Sequence, residues 1–505
     1  MKIKYLILFC FFSIITNAQI ASLSKLSSGK FYSSDEIKDS NNNIKGYFLL
    51  FESDKVAKET LELEYVVLDE NLTKVTNGFI TEMKFESFLV DADNIRVKAS
   101  LFKNKLLLEL TDNFKGFEAY SRYRMLDVND NGISTPFIYV NDSIKMNPVF
   151  DRKLKNARQS DDLKFYDGVG LIGEGVLYDK KDRPVNNYLT HFDGDLKQVW
   201  KYVYDDNLQD RKAKHKTIRY LNSDEDVMVY FTHSMKKYTY INDFSTLFID
   251  AKTGKLISEF AFPNMDKYAY KVVDCKIKDD KIYVMGNYSI TSQYGNTNDT
   301  KNTGLFNYVF DKQTAKLIDS KLLTWESLSP KLPVNKNGEV KKEGFLFAHN
   351  MLLLNNGKII VVTETFIQGP VTTNNMYFLE LSPEFTINQV FEVTKFRNKF
   401  PGTLAHSDDI KRYGLFDFID YQNMGDDEFL FFLNDNEKKS KNRKKSTLYG
   451  IISYADGVFK RQTLNLKTET STVRASNAKK GYLMMVEDFD QKDKPTELRL
   501  EKINY

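Results

Sequence analysis

Four glutamates, Glu52, Glu174, Glu364 and Glu487, hold the same position in a recurring six-residue pattern. Thr111, Thr232, Asn287 and Asn434 fill that position in the other copies. Carboxylates that converge in pairs can share acid and base work at a glycosidic bond, or hold a cation between them. Each of these eight residues closes a short apolar burst, over 47–52, 106–111, 169–174, 227–232, 282–287, 359–364, 429–434 and 482–487. A strand end is also polar simply because it emerges into water. The pattern therefore needs a frame before it can mean chemistry.

Other groups compete for attention. His406, Asp408 and Asp409, in "AHSDDIKRYG", form the densest titratable cluster. The run "NDNEKKSKNRKKS" carries Lys439, Lys441 and Lys444 among its cations, which suit an anionic partner and equally a solvated hairpin loop. "MLDVNDNGIST" opens like a calcium loop at Asp127, Asn129 and Asn131, but its twelfth position is Ile138, where such a loop needs a bidentate Glu. "DGVGLIGEG" spells Gly168-x-Gly170-x-x-Gly173, yet turn residues and Pro184 follow where a dinucleotide site needs a helix. No pair among the five histidines has zinc-helix spacing, and no helix is expected to carry one. Neither a metal nor a cofactor is expected. Cys275 sits in the apolar stretch "YAYKVVDCKI" and reads as a packed, inert thiol.

The bursts supply the frame. They recur at intervals of 53 to 77 residues, and turn formers precede each one. Most are continuous apolar runs of about six residues, the mark of a strand covered on both faces. Behind five of them comes an apolar pair, an aspartate, a turn and another strand, as in "LFIDAKTGKLI". Those aspartates are Asp69, Asp127, Asp193, Asp250 and Asp311, and Ser382 takes the place in the sixth copy. Asp127 is thus one hairpin aspartate among five, and a turn is the expected reading.

One strand before each burst, the burst itself and the two hairpin arms make four antiparallel strands per repeat. That predicts an all-β fold, a β-propeller of seven or eight four-stranded blades. The eighth repeat stops after its third strand, so "QIASLSKL" near the N-terminus is expected to complete it and close the ring. The first eighteen residues read as a secretory signal, with Lys2 and Lys4, an apolar core and a small-residue exit at Ala18. This leaves residues 19 to 505 as a single domain. The chain resembles the large exported propeller-like proteins of Bacteroidota, whose signals often end in "NAQ", and that resemblance brings no catalytic residues with it.

A formal net charge of +3 over 505 residues argues against a general role on nucleic acid or a membrane surface. A monomer in the periplasm or outside the cell is expected. Its partner would be a polysaccharide, a peptide or a protein. The expected function is that of a non-enzymatic binder or scaffold, engaging its ligand on the face of the second-to-third strand loops. The alternative is a carbohydrate hydrolase or lyase that uses carboxylates such as Glu174 or Glu364.

Overall fold

The computed structural model describes residues 20–39, 43–57, 60–83, 95–102, 104–114, 118–146, 161–166, 168–181, 183–210, 212–236, 242–290, 301–400, 407–436, 447–466, 468–491 and 494–504. The expected signal segment, 1–18, lies outside them. The chain is all-β. Each apolar burst falls on the second strand of an antiparallel unit, from Ile44–Ala57 in unit one to Tyr482–Phe489 in unit eight. Units three, four, five and seven are separate four-stranded sheets in sequential order. Units one and two merge into one nine-stranded sheet through a single parallel bridge between Lys38 and Ser100. Unit six carries additional short strands beside its four. The last sheet contains Ser471–Asn477, Tyr482–Phe489 and Glu497–Lys502, and its fourth strand is Ile20–Ser22 from the other end of the chain.

Packing explains why the bursts are apolar without a break. Side chains alternate across a strand, and here both faces meet a neighbouring unit. Val227 and Val229 pack toward unit five, whereas Met228 and Tyr230 pack toward unit three. Phe429, Phe431 and Leu433 face unit six, and Leu430 and Phe432 face unit eight. The same division joins the ends of the chain. Tyr47, Leu49 and Phe51 of unit one share a core with Leu23, Met484, Leu498 and Leu500.

The hairpin aspartates act through their turns. Asp69 Oδ1 accepts the N–H groups of Asn71 and Thr73, each at 2.8 Å, and Asp193 Oδ1 accepts those of Asp195 and Lys197 at 2.9 Å. Ser382 Oγ accepts from Glu384 and Thr386 at 3.2 and 3.3 Å, so the sixth copy replaces a carboxylate with a hydroxyl in the same role. Asp127 Oδ1 accepts the Asn129 N–H at 3.0 Å, the geometry of a turn.

Besides the merged nine-stranded sheet and the extra strands of unit six, which correct the expectation of uniform four-stranded blades, three local features depart from the repeat. After Asp127 the second unit makes only an isolated bridge between Leu126 and Ile133, and Phe137–Val140 touches the sheet at one residue pair. The longer turn and Pro136, which lacks an N–H, prevent a regular fourth strand here. A 3-10 turn, Trp325–Leu328, and a buried indole interrupt the passage from unit five to unit six. Ser407–Arg412 is a short helix, where no helix was expected.

Cys275 lies in the first strand of unit five, 4% exposed among Val272, Val284 and Phe306. Burial pushes its thiol well above the ordinary range. Labelling by a thiol reagent is therefore expected to be slow for the native protein and complete within minutes in urea. Equal rates in the two conditions would show that the strand is open.

Candidate functional site

The eight burst-closing residues do not form one rim. Glu364 is fully buried, 0% exposed. Asn434 is exposed, and its N–H donates to the Asp417 carbonyl at 2.8 Å. Glu487 accepts from Ser471 Oγ and Arg499 within its own sheet. Glu52 is half-buried and pairs in register with Lys30 and Leu63. Glu174 stands opposite Asp162, and burial together with that neighbouring charge pushes its carboxyl up to about 7. His406, Lys439, Lys441 and Lys444 lie outside the described residues.

Glu364 instead anchors a buried ionic network. Lys395 Nζ lies 3.2 Å from Glu364 Oε1 and also bonds the Asp417 carboxylate. Glu364 accepts the Asp417 and Phe418 N–H groups at 3.1 Å, and His349 Nε2 stands 3.3 Å from it. Asn398 and Thr373 complete the shell of Asp417 at 2.7 and 3.0 Å. Burial and the Glu364 charge raise Asp417 to about 6. Burial also pushes Glu364 upward, but the Lys395 charge, His349 and the Asp417 N–H outweigh it and leave Glu364 lowered. His349 is lowered by burial and is neutral at pH 7. Every carboxylate here is matched by a buried donor. The network ties unit six to unit seven, and no oxygen is left over for a substrate.

The first strands of the units line two adjoining cavities. One, of about 890 Å³, is lined by Asp35, Glu36, Lys38, Lys98 and Tyr166, among others. The other, of about 350 Å³, shares Phe165 and Tyr166 and adds Tyr220, Asp274, Met351 and Tyr421. Charges in these cavities are largely paired. Lys38 lies 3.1 Å from Glu36 and 3.4 Å from Asp420, and Asp35 accepts the Ala99 N–H at 2.7 Å. Asp274, in the lining of the smaller cavity, is pushed up to about 7 by burial.

A third cavity, of about 400 Å³, brings three residues singled out in the sequence, Asn287, Asp408 and Asp409, together with several that were not. Asn287 and Asp408 line it with Arg219, Lys271, Tyr270 and Ser289. The contributing elements are Lys214–Ser223, Val227–Lys236, Asn242–Asp250, Tyr268–Lys278, Lys281–Ile290 and the helix Ser407–Arg412. They lie far apart in the chain, so no local motif could announce the site. Lys271 bonds Asp408, a carboxylate 62% exposed, and its ammonium lies 4.9 Å from the Phe347 ring centroid. The Arg219 guanidinium sits 5.7 Å over Phe231 and donates to the Val272 carbonyl. Lys411 Nζ, 5.8 Å from the Phe347 centroid, brings a third cation to the same place. The short helix Ser407–Arg412 is what delivers Asp408 and Lys411.

A family model described as a family of unknown function (DUF6770) matches residues 1–369 and 370–504. No curated protein matches the chain. Among solved structures, an ulvan lyase of polysaccharide lyase family PL25 is 10% identical with a TM-score of 0.41, covering 80% of this chain and 91% of that one. The WD40 domain of SCAP from fission yeast is 9% identical with a TM-score of 0.36, covering 97% and 98%. The NanB sialidase of Streptococcus pneumoniae is 9% identical with a TM-score of 0.31, covering 94% of each chain.

Proposed function

We propose that this chain, which belongs to the DUF6770 family of unknown function, is an exported binding protein built as a closed eight-bladed propeller. Its N-terminal segment, 1–18, directs export to the periplasm or the cell exterior and is removed. The shared cores between consecutive units, and the strand Ile20–Ser22 beside Glu497–Lys502, support closure. Among the described residues, no helix is long and apolar enough to cross a membrane. The observation that carries the binding role is the cavity at Asn287 and Asp408, where polar and charged side chains from five elements converge. Rigid strands fix such a frame, and loops can vary around it.

The test is a saccharide and peptide array on the mature chain, followed by hydrogen exchange with each hit. Protection is expected over 219–233, 268–289 and 407–412. Protection confined to the aspartate hairpins, at the opposite ends of the strands, would place binding elsewhere.

A second reading rests on Glu174. A carboxyl held near 7 can donate a proton at neutral pH, as glycoside chemistry requires. Turnover of a carbohydrate, abolished by Glu174→Gln, would make the protein an enzyme. Binding with no product after long incubation would retire that reading.

A further inference from the structure

We propose that the cavity between units four and five takes a carboxylate-bearing sugar, whose carboxylate replaces that of Asp408 on Lys271. This rests on the binding role proposed above and names its ligand class. Arg219 and Lys271 line the cavity with two carboxylates, Asp408 and Asp409, and Lys411 on the same short helix adds a third cation beside it; Arg219 and Lys411 remain accessible to solvent. Lys271 is held by Asp408, whose carboxylate is mostly exposed on a six-residue helix. Asp408 is 62% exposed and Lys271 only 27%, so an incoming carboxylate can displace the exposed Asp408 while Lys271 stays in place.

The rest of the lining suits a sugar ring. Asn287 and Ser289 are two residues apart on one strand, so their side chains share a face and offer hydrogen bonds to hydroxyls. Opposite them in register stand Lys271 and Ala269, which place a cation beside the amide and leave room beside the hydroxyl. Phe231, Phe244 and Tyr270 form the apolar wall against which the C–H face of a pyranose can pack. An inorganic anion would use the cations and leave that wall idle. A neutral sugar would use the wall and leave Lys271 with Asp408, gaining no charge-assisted contact.

The test is calorimetric titration of the mature chain with a galacturonate hexamer, and with cellohexaose as the neutral counterpart. The acidic sugar is expected to bind and the neutral one not to. Lys271→Gln should weaken binding by about 10-fold or more, since it removes one charge-assisted contact. Asp408→Asn should strengthen it severalfold, because the competing carboxylate is gone. Asp408→Asn should melt with the parent chain, because Asp408 is mostly exposed, and Lys271→Gln should remain folded in the same melt. Absence of binding by the hexamer, equal binding of the two sugars, or weakening by Asp408→Asn would overturn the proposal. Array hits of other chemistry that still protect 268–289 and 407–412 would leave the binding role standing without this ligand class.

Discussion

Replacing Lys395 with Met is expected to cost about 3–5 kcal/mol of stability at neutral pH, measured by urea unfolding. Lys395 is 0% exposed in its side chain, and it is the cation that both Glu364 and Asp417 contact. Without it, two buried carboxylates face each other with only neutral donors for company. The expected pH dependence has a definite sign. In the parent chain Asp417 is raised from 3.8 to about 6, so the folded state holds that proton more tightly than the unfolded state. Its contribution is greatest below 3.8 and falls as pH rises through about 6. Glu364 is lowered from 4.5, so its contribution is present above that value and is lost as pH falls through the folded one. Losing Lys395 raises both carboxyls, and the variant should suffer more at pH 8 than at pH 5. Adding Glu364→Gln should restore part of the loss by removing one stranded charge. A difference below about 0.5 kcal/mol, or one that does not change with pH, would show that the network carries no such charge balance.

That network also shows where sequence reasoning stopped. Glu364 ends its burst as Glu52 and Glu174 do, and position alone placed it at a polar rim. What decides its fate is Lys395 and Asp417, which come from beyond its own strand and bear no sequence relation to it. The strands were legible for the opposite reason. Two buried faces leave an unbroken apolar run, and a hairpin that needs an acceptor for two turn N–H groups leaves an aspartate or a serine. Local causes write local signals. The cavity at Lys271 has no such signal, because its cations lie on first strands and on a short helix that only the assembled fold brings together. "SDDIKR" is too brief for helical periodicity to speak, although its acids lead and its bases follow, as a helix prefers.

The joint between the chain's two ends gives the second large expectation. The cut should fall before residue 28, because Lys30–Lys38 already belongs to unit one and removing it would damage a different sheet. A chain beginning at residue 28 loses Ile20–Ser22, whose partners are Arg499, Leu498 and Glu497, and loses Leu23 from the core shared with Met484, Leu498 and Leu500. Burial of a leucine contributes about 1.5–3 kcal/mol, and the bared edge of Glu497–Lys502 adds the loss of its strand pairing. The truncated chain should therefore unfold at clearly lower urea, by about 3 kcal/mol or more. Hydrogen exchange should show the loss first in 482–489 and 497–502, then in 44–52 across the shared core. Leu23→Ala separates the two contributions, since it removes packing and leaves the strand pairing in place. If the truncated chain matches the full one in both urea midpoint and exchange, the two ends of the chain do not hold each other.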